Sequence, residues 1–214
     1  MSVLFLTKTT EWCRIAERFV TTHFKDVVIA SGDWGHPLPD AAREWQGEHV
    51  ISFVSPWIVP DALLRRATGA CLNFHPGPPS YPGIGCYNFA LYDEVSEYGV
   101  TCHHMATKVD SGAIVRVKRF PVLATESVAT LKDRSMNAML ELLFEIAGIL
   151  ASGGELPSSD ETWTRAPFTR RELNELGRVT PDMSAEEIRR RHRAMHFPPF
   201  PGVFMDLAGI TLKA

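Results

Sequence analysis

The chain has 214 residues, 45% of them hydrophobic, a length that holds one domain, or one domain with a small appendage, and excludes an enzyme of several large modules. With 22 Lys+Arg against 25 Asp+Glu, the formal charge is -3. No excess of positive charge exists to release counterions from a polynucleotide, so nucleic acid is not expected as the main partner.

In chain order, Val3-Leu4-Phe5-Leu6 is a short apolar run, and Trp12, Ile15, Ala16, Phe19 and Val20 follow at the spacing of an amphipathic helix. Val27-Val28-Ile29-Ala30 and Val50-Ile51-Ser52-Phe53-Val54 are further nearly continuous runs, the pattern of strands covered on both faces in a parallel sheet. Between them, 32–39 is a turn-rich loop. Pro60-Asp61 opens a short helix through Leu63 and Leu64, and Ala70 to Phe74 reads as the fourth strand. Repetition of strand, helix and strand predicts an open α/β sheet. From His75 to Gly85 there are four prolines and three glycines, a stiff, shaped loop. A helix from Tyr87 to Asp93 precedes two strand-like runs, 99–105 and 113–117, joined by Lys108-Val-Asp-Ser-Gly112. The longest helix runs from Ser127 to Ser152 and stops at Gly153-Gly154. Beyond Leu156, capping boxes at Thr169/Glu172 and Ser184/Glu187 predict two short helices, and 197–212 reads as a small hairpin.

The four cysteines, Cys13, Cys71, Cys86 and Cys102, are scattered without a CxxC pair, and the apolar start is too short for a signal peptide. A reduced, cytoplasmic protein with free thiols is expected. The most apolar long stretch, 139–151, contains Glu141 and Glu145 and falls short of the roughly 20 residues a bilayer needs, so no membrane span is expected. His103 and His104 point to opposite faces of a strand, and no Cys/His/carboxylate spacing supports zinc, so no metal is expected.

Ligands of open α/β sheets bind beyond the carboxyl ends of the strands, where Asn73-Phe74-His75-Pro76 falls. Residues two apart on an extended chain point the same way, so Asn73 and His75 can face one pocket. Asp110, in the turn between the next two runs, can reach back to His75. An amide, an imidazole and a carboxylate in one cleft suit acyl transfer: the carboxylate holds the ring, the ring moves protons, and the amide donates to a developing oxyanion. Each piece alone has a plainer reading, since Asn-x-His at a strand end is often satisfied polar structure and Asp-Ser-Gly is a common Asx-turn.

Together these residues resemble the formyltransferases that use N10-formyltetrahydrofolate. The resemblance rests on Asn73-Phe-His75-Pro76, the Pro/Gly loop, Gly99-Val100-Thr101 and Val109-Asp110-Ser111-Gly112, and covers residues 50 to 120. Residues 81–88, Arg193-Ala194 and Phe197-Pro-Pro-Phe-Pro201 resemble the branch that formylates amino groups on nucleotide-linked sugars. The resemblance implies a Rossmann-like, open, mostly parallel sheet with flanking helices, a catalytic domain at 1–156 and a C-terminal helical and hairpin appendage at 157–214. It implies Asn73, His75 and Asp110 as catalytic residues and N10-formyltetrahydrofolate as co-substrate. Ser55, Trp57 and Ile58 after the third strand, with Thr107 and Lys108, would hold the pterin, although Trp57 and Ile58 equally fit simple core packing.

The implied acceptor is a nucleotide-linked amino sugar of lipopolysaccharide, O-antigen or a related glycan. Lys8, Tyr81, Tyr87, Asn88 and Arg193 would contact it, although Lys8 also reads as part of a polar loop and the 189–193 arginines as a solvated helix face. Two other members of the family fit less well. Glycinamide ribonucleotide formyltransferase is expected to carry a glycine-rich phosphate loop after the first strand, and Thr7 to Glu11 contains no glycine. The enzyme acting on initiator methionyl-tRNA is expected to carry a larger basic C-terminal domain, where this chain has a short tail. A deformylase shares the catalytic residues but is expected to carry an additional N-terminal domain. An apolar terminal hairpin predicts a homodimer.

Overall fold

A computed structural model describes residues 1–213; Ala214, the last residue of the expected appendage, lies outside the described residues. The first half contains β1 (Ser2–Thr7), α1 (Glu11–His23), β2 (Asp26–Ser31), α2 (Asp40–Arg43), β3 (His49–Phe53), α3 (Asp61–Leu64), β4 (Cys71–His75) and α4 (Cys86–Tyr92). The second contains β5 (Glu97–His104), β6 (Ile114–Pro121), α5 (Val128–Ala151), α6 (Arg170–Gly177), α7 (Ala185–Met195), β7 (Phe204–Leu207) and β8 (Ile210–Lys213).

The main sheet has the order β2-β1-β3-β4-β5-β6. Its first four strands are mutually parallel, while β5 runs antiparallel to β4 and β6 antiparallel to β5. The continuous apolar runs of β1 and β3 arise because both faces are covered, whereas the expected cover on both faces of the Val27–Ala30 run fails, because β2 lies at the sheet edge and leaves Ile29 39% exposed. Along β1, Val3 and Phe5 join Ile51, Phe53, Leu72 and Phe74 in a core under α1 and α5, whereas Leu4 and Leu6 join Val50, Leu63 and Trp45 on the opposite face. A third cluster, built on Tyr98, Phe89, Leu131 and Phe168, joins α4 to the later helices.

Local signals set the element ends closely. Ser127 caps α5 by accepting from the Thr130 amide, and the Thr169/Glu172 capping box of α6 has both arms in place. The expected box at Ser184/Glu187 has one arm only. Ser184 accepts from the Glu187 amide, but the Glu187 carboxylate is drawn away by Arg190, Arg191 and the Tyr92 hydroxyl, whose charge outcompetes a backbone N–H. The helix expected from Tyr87 starts one residue earlier, at Cys86. The terminal hairpin turns on Ala208 and Gly209, both at positive φ, the two-residue turn whose twist suits paired strands. All four cysteines are free thiols. Among the described residues, no helix is long and apolar enough to cross a membrane.

Candidate active site

The antiparallel entry of β5 builds the centre of the site. It pairs Asn73 with His103 and His75 with Thr101, and directly opposed residues share a face of the sheet. Asp110 reaches this face from the turn after β5 and lies between the two histidines. Its Oδ2 is 3.2 Å from His75 Nδ1, and its Oδ1 is 3.4 Å from His103 Nε2. The Gly83 amide donates to Oδ2 at 2.7 Å. Gly83 has φ +84, and an added Cβ would lie 2.5 Å from the Phe168 carbonyl, so glycine is needed for this amide to reach the carboxylate. The sequence-predicted trio is thus brought together, and His103 joins it.

Hydrogen bonding sets the orientation of Asn73. His103 Nδ1 lies 2.8 Å from the His104 carbonyl, which can only accept, so Nδ1 carries the proton. The Asn73 amide nitrogen lies 3.0 Å from His103 Nε2, the same nitrogen that stands 3.4 Å from Asp110 Oδ1. Ser52 Oγ donates to Asn73 Oδ1 at 2.8 Å, leaving the second N–H of the amide uncommitted.

His75 is buried, with Nε2 2.8 Å from the Tyr81 carbonyl. Both of its nitrogens therefore face acceptors, and only the imidazolium satisfies both. Burial opposes that charge and holds His75 below its ordinary 6.5, against the upward pull of Asp110 and the Tyr81 carbonyl. At neutral pH the ring is neutral, in surroundings that welcome a proton once negative charge develops nearby. Burial also pushes the Asp110 carboxyl upward, but His75, His103 and the Gly83 amide outweigh it and hold the pKa down at about 2.

The Pro/Gly loop is fixed from two sides. Tyr98 and Thr101 of β5 donate their hydroxyls to the Pro76 and Gly77 carbonyls, and Thr164 and Phe168 donate their amides to Pro79 and Pro82. A cavity of about 680 Å³ opens beside Asp110, walled by 108–114 and 161–167.

The other residues singled out in the sequence are placed differently. Lys108 lines that cavity, and Thr107 is exposed next to it. Ser55, Trp57 and Ile58 follow β3; Ser55 Oγ accepts from the Trp57 amide, Trp57 Nε1 donates to the His36 carbonyl, and Ile58 is 76% exposed. Ile58 therefore does not fit core packing, whereas Trp57 packs against the cluster that also takes up Met105. Lys8 Nζ lies 4.7 Å over the Trp34 ring.

Four expected substrate contacts, Tyr81, Tyr87, Asn88 and Arg193, have side chains turned to internal partners. The Tyr81 ring stacks on Phe168 and its hydroxyl donates to Asp93; only its carbonyl meets the site. Tyr87 packs beside Tyr98, the Asn88 amide donates to the Ala194 carbonyl, and Arg193 Nε donates to the Glu126 carbonyl. The polar groups of Tyr81, Asn88 and Arg193 thus find partners within the fold.

Ser52, His103 and Trp163 are site-lining residues that sequence reasoning missed. The alternation of faces that argued against His103 and His104 as joint metal ligands is the same signal that frees His103 to face Asn73. Trp163 left no local signal, since its N–H donates to Gly112, 51 residues away.

The formyl transferase family profile matches residues 37–146, just over half of the chain. The chain belongs to the formyl transferase family. Among its relatives, a methionyl-tRNA formyltransferase of Geobacillus thermodenitrificans is 30% identical over 179 residues, covering 78% of this chain and 54% of that protein. A GDP-perosamine N-formyltransferase of Brucella melitensis is 30% identical over 161 residues, covering 75% and 61%. The chain thus spans little more than half the length of these curated relatives. The fold is shared with an N-formyltransferase of Helicobacter canadensis crystallised with folinic acid and dTDP-3-aminofucose, with TM-score 0.77, 16% identity, and coverage of 98% of this chain and 85% of that one. The open, mostly parallel sheet with its terminal hairpin is therefore the formyl transferase fold.

Proposed function

We propose that this family member transfers the formyl group of N10-formyltetrahydrofolate to the amine of a nucleotide-linked amino sugar. The observation that carries this reading is the buried chain Asn73–His103–Asp110–His75 at the carboxyl edge of the sheet, opening onto a cavity large enough for part of a folate. The amine adds to the formyl carbon. The uncommitted Asn73 N–H and a protonated His75 stabilise the oxyanion. As the bond from carbon to the folate nitrogen breaks, a proton from the amine reaches that nitrogen by way of His75, whose ring Asp110 holds and charges. Lys108 and Thr107 remain at the cavity for the folate, and Lys8 at the carboxyl end of β1 for a phosphate.

The sugar-directed relative and the formal charge of -3 support a small acceptor; the equally identical methionyl-tRNA relative supplies the competing one. Incubation with formyl cofactor and either a panel of amino-sugar nucleotides or methionyl-tRNA separates them. Sugar-dependent cofactor turnover is the expected result. Turnover only with the tRNA, or at a rate indifferent to any sugar, overturns the assignment.

We also propose a cytoplasmic homodimer in glycan synthesis. Leu207, Ile210 and Leu212 of the hairpin are each more than half exposed, an apolar strip suited to a second copy. Light scattering is expected to return twice the 23.9 kDa chain mass, and a strict monomer refutes this.

A further inference from the structure

Residues 157–168 join α5 to α6 without a helix or named strand of their own, yet they are tied down along their length. The Ser159 amide donates to the Ile114 carbonyl at 3.1 Å, Thr164 to Pro79 at 3.3 Å and Phe168 to Pro82 at 2.9 Å, while the Ile84 amide returns to the Phe168 carbonyl at 3.2 Å. The strap therefore crosses from the start of β6 to the Pro/Gly loop, over the edge where Asp110 lies. Trp163 is at its middle. Its indole N–H donates to the Gly112 carbonyl at 2.8 Å. Its ring stands edge-on to His103, with centroids 5.0 Å apart at 88°, and to His75, 5.8 Å apart at 72°. The same residue lines the cavity with Asp110.

A formyl carbon prepared for attack by an amine is equally open to water, and the groups around it are polar enough to hold water in place. Two histidines, a carboxylate and the Gly112 carbonyl provide the two to four polar partners that an ordered water needs, so the space filled by the indole would be wet if the ring were removed. We propose that Trp163 is the wall that keeps water from the formyl carbon, and that it sets the ratio of transfer to hydrolysis. This rests on the transferase reading above. In the reaction Trp163 suppresses, a water oxygen adds to the formyl carbon, and the bond from that carbon to the folate nitrogen breaks. Formate leaves, one water proton goes to the departing nitrogen and the other to solvent.

The test uses the full chain with formyl cofactor and its amino-sugar nucleotide, quantifying formate and formylated sugar separately. In Trp163→Ala the ratio of formate to formylated sugar is expected to rise about tenfold or more, through a barrier to hydrolysis lowered relative to that for transfer. Trp163→Phe keeps an aromatic wall and is expected to keep the ratio near wild type. Trp163→Leu retains more of the packing than alanine but loses the wall and the indole N–H; it too raises the ratio, and stands in should the alanine variant not fold. Parallel loss of both products at an unchanged ratio overturns the proposal, because it marks a structural role only. Failure of the transferase reading looks different: wild type then yields no formylated sugar, whether or not it releases formate. The seat of the folate is read independently from emission, where folinic acid is expected to quench wild type more than Trp163→Phe. Equal quenching in the two proteins overturns a folate beside Trp163.

Discussion

Replacing His75 by alanine is expected to lower formyl transfer about a thousand-fold while leaving a folded protein, because in the proposed mechanism one ring supplies both proton transfer and charge to the oxyanion. Each of those roles alone is worth about a hundred-fold or more. The fold is expected to survive, since Asp110 keeps the Gly83 amide and His103 as partners and the other acceptor released is the Tyr81 carbonyl. Comparison of single-turnover rates with thermal melting separates the two effects. Wild-type turnover in a purified His75→Ala variant would remove His75 from the chemistry.

The second large effect is expected for Asp110→Asn. The residue has φ +43, a left-handed conformation that asparagine tolerates better than most residues, and its amide oxygen can still accept from Gly83. The negative charge between the two histidines is lost. Without it nothing of opposite sign supports a protonated His75, and transfer is expected to fall about a hundred- to ten-thousand-fold.

A stability readout accompanies this. The Asp110 carboxyl is held at about 2, below its ordinary 3.8. A depressed carboxylate stabilises the fold above its unfolded value, and that contribution is lost as pH falls through the folded one. Between pH 4 and pH 2 it is worth on the order of 2 kcal/mol in wild type. His75 has the same sign: lowered by burial, it favours the fold above 6.5 and opposes it progressively below. Urea midpoints measured across this range are expected to slope less below pH 4 in Asp110→Asn than in wild type. An identical acid slope in both proteins would show that the carboxylate is not held by its neighbours in the folded state.

Much of this is legible in the sequence, because it depends on residues a few positions apart. Continuous apolar runs at β1 and β3 mark strands covered on both faces. Ser127 and Thr169 cap helices within one turn, and the two-residue period of a strand already aims Asn73 and His75 the same way. The prolines and glycines of 76–85 announce a shaped loop whatever surrounds it.

What lay out of reach depends on which distant segments meet. No local period says that β5 runs antiparallel to β4, yet that direction alone sets His103 opposite Asn73 and so orients the amide. Tyr81, Tyr87, Asn88 and Arg193 carry the chemistry of ligand contacts in any sequence; only the fold shows that the Asn88 amide meets the Ala194 carbonyl and that the Tyr81 ring stacks on Phe168. Trp163 falls within the expected appendage and reaches the edge where Asp110 lies solely because the strap is hydrogen-bonded across the sheet. The sequence by itself determined the elements and the side chains capable of acyl transfer, since propensity, capping and periodicity act over a few residues. The tertiary structure decided which of those side chains face one another, because that depends on strand direction and on partners dozens of residues apart.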